Sequence, residues 1–210
     1  DSYDAERQPV GRRIVERANR SVAEMGPCII AMGFRPGQTE SEALAGLDRL
    51  LGPDGEEQRQ ALLGALDLTN GQFNAHGVEM GQRYASQAVV SDGTPFPADE
   101  RDPDLYYRPT THPGSPLPHV WLQRGTEDIS ILDLCGYDRL TLITGIAGSA
   151  WADAAASVSR EFSVRIETVA VGLGQSNNDV IGAWTRRREI ADTGCLLVRP
   201  DRIIAWRCPG

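Results

Sequence analysis

Lysine is missing from this chain: all twenty-one of its basic residues are arginine. That absence excludes a Walker-type P-loop, whose lysine must reach the phosphates, and every Schiff-base mechanism. Kinases, ATPases and pyridoxal enzymes are removed together. Cysteine is scarce, four in 210 residues, and Cys28, Cys135, Cys195 and Cys208 share no redox spacing. Thiols so few and so scattered suit a reducing compartment better than a disulfide scaffold. No apolar run approaches the ~20 residues a membrane helix needs, and no charged segment leading into an apolar one opens the chain. Positive charge is also short: the net charge of −8 disfavours nucleic acid or an anionic membrane as a partner. A soluble, cytoplasmic protein is expected. The chain opens on Asp1-Ser2-Tyr3-Asp4 without an initiator methionine, as a fragment would.

What is present organises itself around Val120 to Arg207, the stretch with a strand, glycine loop, helix rhythm. β-branched runs bounded by Gly, Asn and Asp predict strands at Ile129–Leu134, Leu140–Thr144 and Val164–Val171, with a closing hairpin of Cys195–Arg199 and Ile203–Arg207. The loop Gly145-Ile146-Ala147-Gly148-Ser149 leads into an alanine-rich helix, Ala150 to Phe162, and a second helix is expected over Asp179–Ile190. The resulting β-β-α-β-α-β-β order is that of a thioredoxin-like α/β layer. Such a layer usually carries Cys-x-x-Cys where the helix dipole lowers a thiol's pKa, and here that loop offers no sulfur. The layer is therefore expected to pack and assemble without thiol chemistry.

The amino-terminal half reads as helical. Val10, Ile14, Ala18 and Val22, with Val15 and Met25, form one face from Tyr3 to about Met32, while Arg12, Arg13, Arg17 and Arg20, with Glu6, Glu16 and Glu24 interleaved, form a solvated, ion-paired side or one covering another domain. Pro9 marks a first turn or a kink, and Gly26-Pro27 is expected to interrupt the run. Thr39-Glu40-Ser41-Glu42 has capping-box spacing and predicts a helix with Leu44, Leu47 and Leu51 on one face. After a Gly52–Gly55 turn, Glu56 to Leu68 predicts another with Leu62, Leu63 and Leu66 inward. Short strands are expected at Val78–Tyr84 and Gln87–Val90. Seven of the thirteen prolines fall between Pro95 and Pro118, which predicts a connector lying along a surface. The expected division is a helical part over 1–94, a proline-rich connector over 95–118 and the α/β layer over 119–210.

Candidate site residues are sparse. His76, His112 and His119 lack the i, i+3 or i, i+4 spacing of helical metal sites and read as turn and edge residues. Gly172-Leu173-Gly174-Gln175-Ser176-Asn177 follows a strand, as a dinucleotide fingerprint should, but Asn177 replaces the third glycine. Ser149 has no histidine nearby in sequence, and no Gly-x-Ser-x-Gly elbow exists. Asp128, Asp133 and Asp138 fall on loops and strand edges. Trp121, Trp151, Trp184 and Trp206 read as core or interface.

Taken together, several runs resemble one family. His76-Gly77-Val78-Glu79-Met80 with Arg83-Tyr84, Tyr106-Tyr107, Pro109-Thr110-Thr111-His112-Pro113-Gly114, Pro118-His119-Val120-Trp121-Leu122, Leu132-Asp133-Leu134-Cys135-Gly136, and Leu196 to Asp201 with Ala205-Trp206-Arg207 resemble the carboxy-terminal part of bacterial FAD-dependent phenol hydroxylases. Ser2 to Gly11 is similar to the helix that follows the flavin-contacting segment in such enzymes. The resemblance covers essentially the whole chain. It implies an aromatic monooxygenase in which NADPH reduces FAD and an oxygen from O₂ is placed ortho to a phenol hydroxyl, with chlorophenol, phenol or a polyketide ring as substrate. It places the flavin-binding motifs upstream of these 210 residues, so no catalytic, cofactor-binding or metal residue is assigned and the chain is expected to bind no cofactor alone. The partners implied are the amino-terminal FAD-binding portion of the same enzyme and further copies of the subunit, with no nucleic acid and no membrane. Two other readings stand beside it: a stand-alone, non-redox thioredoxin-like dimerisation module, and a thiol peroxidase acting through Cys135.

Overall fold

The computed structural model describes residues 2–210. They fall into two compact units interleaved along the chain: one takes the first residues to Gln8, Met80–Arg101 and Arg108–Gly210, the other Pro9–Glu79 and Asp102–Tyr107.

The second unit is helical. Most of α1 (Tyr3–Ala31) belongs to it, with α2 (Glu40–Leu51), α3 (Glu56–Phe73) and the short α4 (His76–Met80). The capping box at Thr39 forms as its spacing requires, the Thr39 side chain accepting from the Glu42 amide and the Glu42 carboxylate accepting from the Thr39 amide. Arg59 donates to the carbonyls of Leu50 and Gly52, both at 2.8 Å, and so satisfies orphan acceptors at the end of α2. Gln58 ties α3 to the Ala31 carbonyl at 2.9 Å and the Gly46 carbonyl at 3.2 Å.

Several expectations for this half are corrected. α1 runs on through Gly26-Pro27 to Ala31 and closes only when the Gly33 and Phe34 amides bond back to Ile30 and Ile29. Its polar side is ion-paired and mostly exposed, with Arg17 a buried exception, and its apolar side is not the buried one. Arg17 is buried, pairing with Glu24 and Ser21 against Gly71 of α3, and Arg13 and Arg20 reach Asp104 at 3.0 Å, while Ile14, Val15, Val22 and Met25 are exposed. Leu44, Leu51, Leu63 and Leu66 are likewise exposed, with Leu50 and Ala65 buried instead. Glu24 and Ser21 hold Arg17 inward, whereas Arg12, Glu16 and Arg20 stay exposed along with most of the apolar stripe. The strands expected at Val78–Tyr84 and Gln87–Val90 are absent. Val78 sits in α4, where its amide and that of Glu79 bond to Ala75, and Ser86 caps the Ala88 amide in a turn.

The first unit carries the sheets. β1 (Trp121–Arg124) and β2 (Glu127–Ser130) form a two-stranded antiparallel ribbon. The strand expected to continue to Leu134 stops at Ser130, because Ser130 and Asp133 form a capping box that opens a 3₁₀ turn over Ile131–Leu134. β3 (Leu140–Thr144), α5 (Ser149–Phe162) and β4 (Ile166–Ala170) make a parallel crossover, and β5 (Cys195–Val198) and β6 (Ile204–Cys208) close the sheet antiparallel in the order β4-β3-β5-β6. Alternation sorts the side chains. Ile143, Leu196, Val198 and Ile204 face a core with Val120, Ile131, Val171 and Trp184, whereas Leu142, Cys195 and Leu197 pack under α5 with Ala155 and Trp151.

The helix expected over Asp179–Ile190 is a chain of turns. The buried Asp179 carboxylate takes the amides of Trp184 and Thr185 at 3.1 and 2.8 Å, and Gly182 at φ +66° with Glu189 at φ +49° breaks helical continuity. The proline-rich segment stays largely exposed over 95–109, as a surface connector would, and becomes buried from Thr110. Its Gly114 and Leu117 amides donate to Ile204 and Arg202, and Ser115 accepts from Ile204, so it lines the outer edge of β6. Prolines at 113, 116 and 118 cost nothing there, since the alternating donors are not theirs. Replacing Thr39 by alanine is expected to remove about 1 kcal/mol of stability, read as a lower chemical-denaturation midpoint with unchanged slope.

Candidate functional site

Two sequence segments singled out as motifs, Pro109–Gly114 and the end of β6, meet at one guanidinium. Of the five N–H groups of an arginine, those of buried Arg207 are directed at Asp92 through Nε, Thr111 at 3.3 Å and Glu189 at 2.9 Å through Nη1, and Thr94 at 3.0 Å through Nη2. Each partner is held in turn. The Asp92 side chain, only 1% exposed, accepts from the Thr94 amide at 2.9 Å and hydroxyl at 2.7 Å. Glu189 accepts from the Thr110 hydroxyl at 2.8 Å and the Thr111 amide at 3.1 Å, and the Thr111 hydroxyl donates to the Arg188 carbonyl at 2.6 Å. Burial pushes the Asp92 carboxyl up, but Arg207 and Thr94 outweigh it and bring its pKa down to about 2.

His112 lies beside this cluster with its Nδ1 3.0 Å from the Pro113 carbonyl and its Nε2 3.1 Å from the Thr94 carbonyl, so both ring nitrogens are engaged by backbone. Gly114 follows at φ +90°, where a Cβ would stand 2.2 Å from the Tyr84 carbonyl, so no side chain fits. Tyr84 is buried, with Arg7 and Arg199 over its ring, and Arg199 binds Glu6 through two bonds of 2.6 and 3.0 Å. The Arg199 contact holds the Glu6 carboxyl below its ordinary value despite burial. The site is thus a pair of closed ion-pair clusters. Its donors and acceptors already answer one another, which suits clamping and leaves no guanidinium free for a ligand.

Elsewhere the candidates are dispersed. His76 and His119 are exposed, His119 edge-on to Trp121, and no three His, Cys, Asp or Glu among the described residues could share a metal ion. The Gly172–Asn177 loop does not fit a phosphate cradle. No helix follows it, the space a Cβ would take at Gly172 is filled by Ile146 at 2.4 Å, and Asn177 is occupied by Arg124 at 2.8 Å. Asp128 lines a groove of about 480 Å³ with Trp121, Val180 and Ile181, where no second titratable group faces it. Asp133 is spent on its cap and Asp138 on Arg139 and Arg165. Ser149 starts α5. Trp184 is fully buried, while Trp151 and Trp206 meet edge to face at 5.7 Å. Burial pushes the Cys135 thiol up to about 11, which opposes a peroxidase reading. Sequence reasoning missed Asp92, Glu189 and Arg207 as a group, because their contacts span up to 115 positions. Only their neighbourhood in the family motifs could have drawn attention to them.

Residues 110–210 match the family model described as aromatic-ring hydroxylase, C-terminal. The chain is 43% identical over 208 residues to a 2,4-dichlorophenol 6-monooxygenase of Delftia acidovorans, covering 98% of this chain and 36% of that one. It is 41% identical over 209 residues to a phenol 2-monooxygenase of Pseudomonas sp. (strain EST1001), covering 99% and 34%. Among solved structures, the flavin-dependent monooxygenase PieE in complex with FAD and substrate superposes with a TM-score of 0.91 at 45% identity, over 99% of this chain and 36% of that chain. The chain spans about a third of the length of the proteins it matches.

Replacing Arg207 by leucine, which strands the buried Asp92 charge, is expected to cost roughly 3–5 kcal/mol, with part of the loss recovered in an Arg207→Leu/Asp92→Leu double variant. Because the Asp92 pKa is lower folded than unfolded, its contribution is complete above about pH 4 and disappears as pH falls through about 2. Denaturation midpoints across that window should fall more steeply for the parent than for Asp92→Asn.

Proposed function

The chain belongs to the aromatic-ring hydroxylases, and on that premise we propose that it is the carboxy-terminal portion of an FAD-dependent, NADPH- and O₂-using monooxygenase that hydroxylates phenols ortho to the hydroxyl. The observation that carries this reading is identity of 43% sustained along 98% of the chain to an enzyme of that activity. When bound, the flavin supplies the activation of O₂. The residues described here contribute structure: Arg207, Glu189 and Asp92 clamp the Thr110–Thr111 segment to β6 and the turns before β5. FAD and NADPH are held by the remaining portion, consistent with a glycine loop here that does not fit phosphate.

The strand order and directions of β4-β3-β5-β6 support a thioredoxin-like reading of the sheet, serving subunit association in a homo-oligomer. The exposed stripes of α1, α2 and α3 support a covering partner, since amphipathic helices are stabilised in a fold by burying such faces. We assign that cover to the amino-terminal portion of the same protein. A stand-alone interaction module is not favoured, because the matches are to much longer hydroxylases. Among the described residues no helix is long and apolar enough to cross a membrane, and a cytoplasmic catabolic enzyme is the location proposed.

Purified alone, the chain is expected to retain no FAD and to oxidise no NADPH in the presence of a phenol; stoichiometric bound flavin would overturn the assignment. In the full-length protein, Leu63→Asp with Leu66→Asp should lower stability by about 3 kcal/mol, while the melting of the isolated chain changes little. Equal effects in both would remove the covering partner.

A further inference from the structure

We infer that Cys195 and Cys208 form an oxidisable cross-strand dithiol, which a hydroperoxide converts to a disulfide stapling β6 to β5. The two lie thirteen positions apart in sequence, yet they are direct partners in the antiparallel register. Residues opposite one another in such a pair have Cα atoms about 4.5–5.5 Å apart, inside the roughly 4.4–6.8 Å that a disulfide spans. Opposite positions also project to the same face, and both cysteines pack in the cluster beneath α5 with Leu142, Ala155 and Trp151. Both thiols are free. Cys135 belongs to the core on the other side of the sheet.

The pair is asymmetric in a way that orders the chemistry. Cys195 is fully buried, and burial pushes its thiol up to about 12. Cys208 is half-buried at the end of β6 and is the sulfur an oxidant reaches. Its thiolate attacks the peroxide: an S–O bond forms, the O–O bond breaks, and the alkoxide or hydroxide leaves and is protonated. The Cys195 sulfur then attacks the Cys208 sulfenic acid, forming S–S and breaking S–O, and the departing hydroxide takes the Cys195 proton as water. Two thiols lose two electrons in total, and one peroxide is reduced to alcohol or water plus water. β6 presents Arg207 on its opposite face, so the staple fixes the backbone that carries the ion-pair cluster.

The test treats the reduced, folded protein with hydrogen peroxide, blocks remaining thiols by alkylation and maps peptides by mass. The expected result is a fall from four free thiols to two, a tryptic peptide containing Cys195 linked to one containing Cys208, and several-fold slower hydrogen exchange in β6. Cys208→Ser, a change at a half-buried position, should keep three thiols under the same treatment and show no change in exchange. Persistence of all four thiols, oxidation of Cys208 to a sulfinic acid without a link, or a link through Cys28 or Cys135 would each overturn the inference. A Cys195→Ser variant that folds should show Cys208 oxidised without any crosslink; should it fail to fold, the Cys208→Ser comparison decides alone.

Discussion

Desolvation of the Arg207 guanidinium is the constraint on which the first unit turns. A buried cation with no partner costs several kcal/mol, so everything around Arg207 must supply an acceptor. Asp92 comes from the loop after the α4 region, Thr94 from the start of the proline-rich segment, Thr111 from its middle and Glu189 from the turns before β5. These segments have scattered backbone bonds to β6 and the turn before it, from Val90 to Ala205, from Gly114 to Ile204 and from Leu117 to Arg202. The Arg207 side chain adds to those bonds a contact with each irregular segment, and Glu189 is held in a left-handed conformation that non-glycine residues rarely adopt.

The most polar part of the unit is thus closed on itself by ion pairs and hydrogen bonds. Four of the five N–H groups of Arg207 are directed at two carboxylates and two hydroxyls. The family to which the chain belongs contains FAD-dependent monooxygenases, and this chain spans about a third of the length of its relatives. In the helical unit, Arg17 is buried against Glu24, Arg13 and Arg20 hold Asp104 from more exposed positions, and Ile14, Leu44, Leu63 and Leu66 are exposed.

The two faces of β6 divide the labour. Arg207 projects toward the clamped segment, and its neighbour Cys208 projects under α5 beside Cys195. Period-two alternation makes this unavoidable.

Local signals were legible where a few consecutive residues decide the outcome. The Thr39 cap, the turn at Gly52–Gly55, β3, α5 and the β5–β6 hairpin follow from propensity and alternation. Elements whose fate depends on distant partners were not. Asp179–Ile190 has helical spacing, but its leading carboxylate captures the Trp184 and Thr185 amides first. The Ile129–Leu134 run is apolar enough for a strand, but Ser130 and Asp133 cap a tighter turn. A helical wheel gives α1 two faces without saying which goes inside, and Asp104, far along the chain, decided it. The amino-acid sequence by itself determined the family, the α/β class and the lack of a lysine-dependent or Cys-x-x-Cys chemistry, since these depend on residue identity and short spacing. Tertiary structure alone decided that Arg207, Asp92 and Glu189 form one cluster and that Cys195 faces Cys208, because strand register and long-range ion pairing bring together residues that no local pattern links.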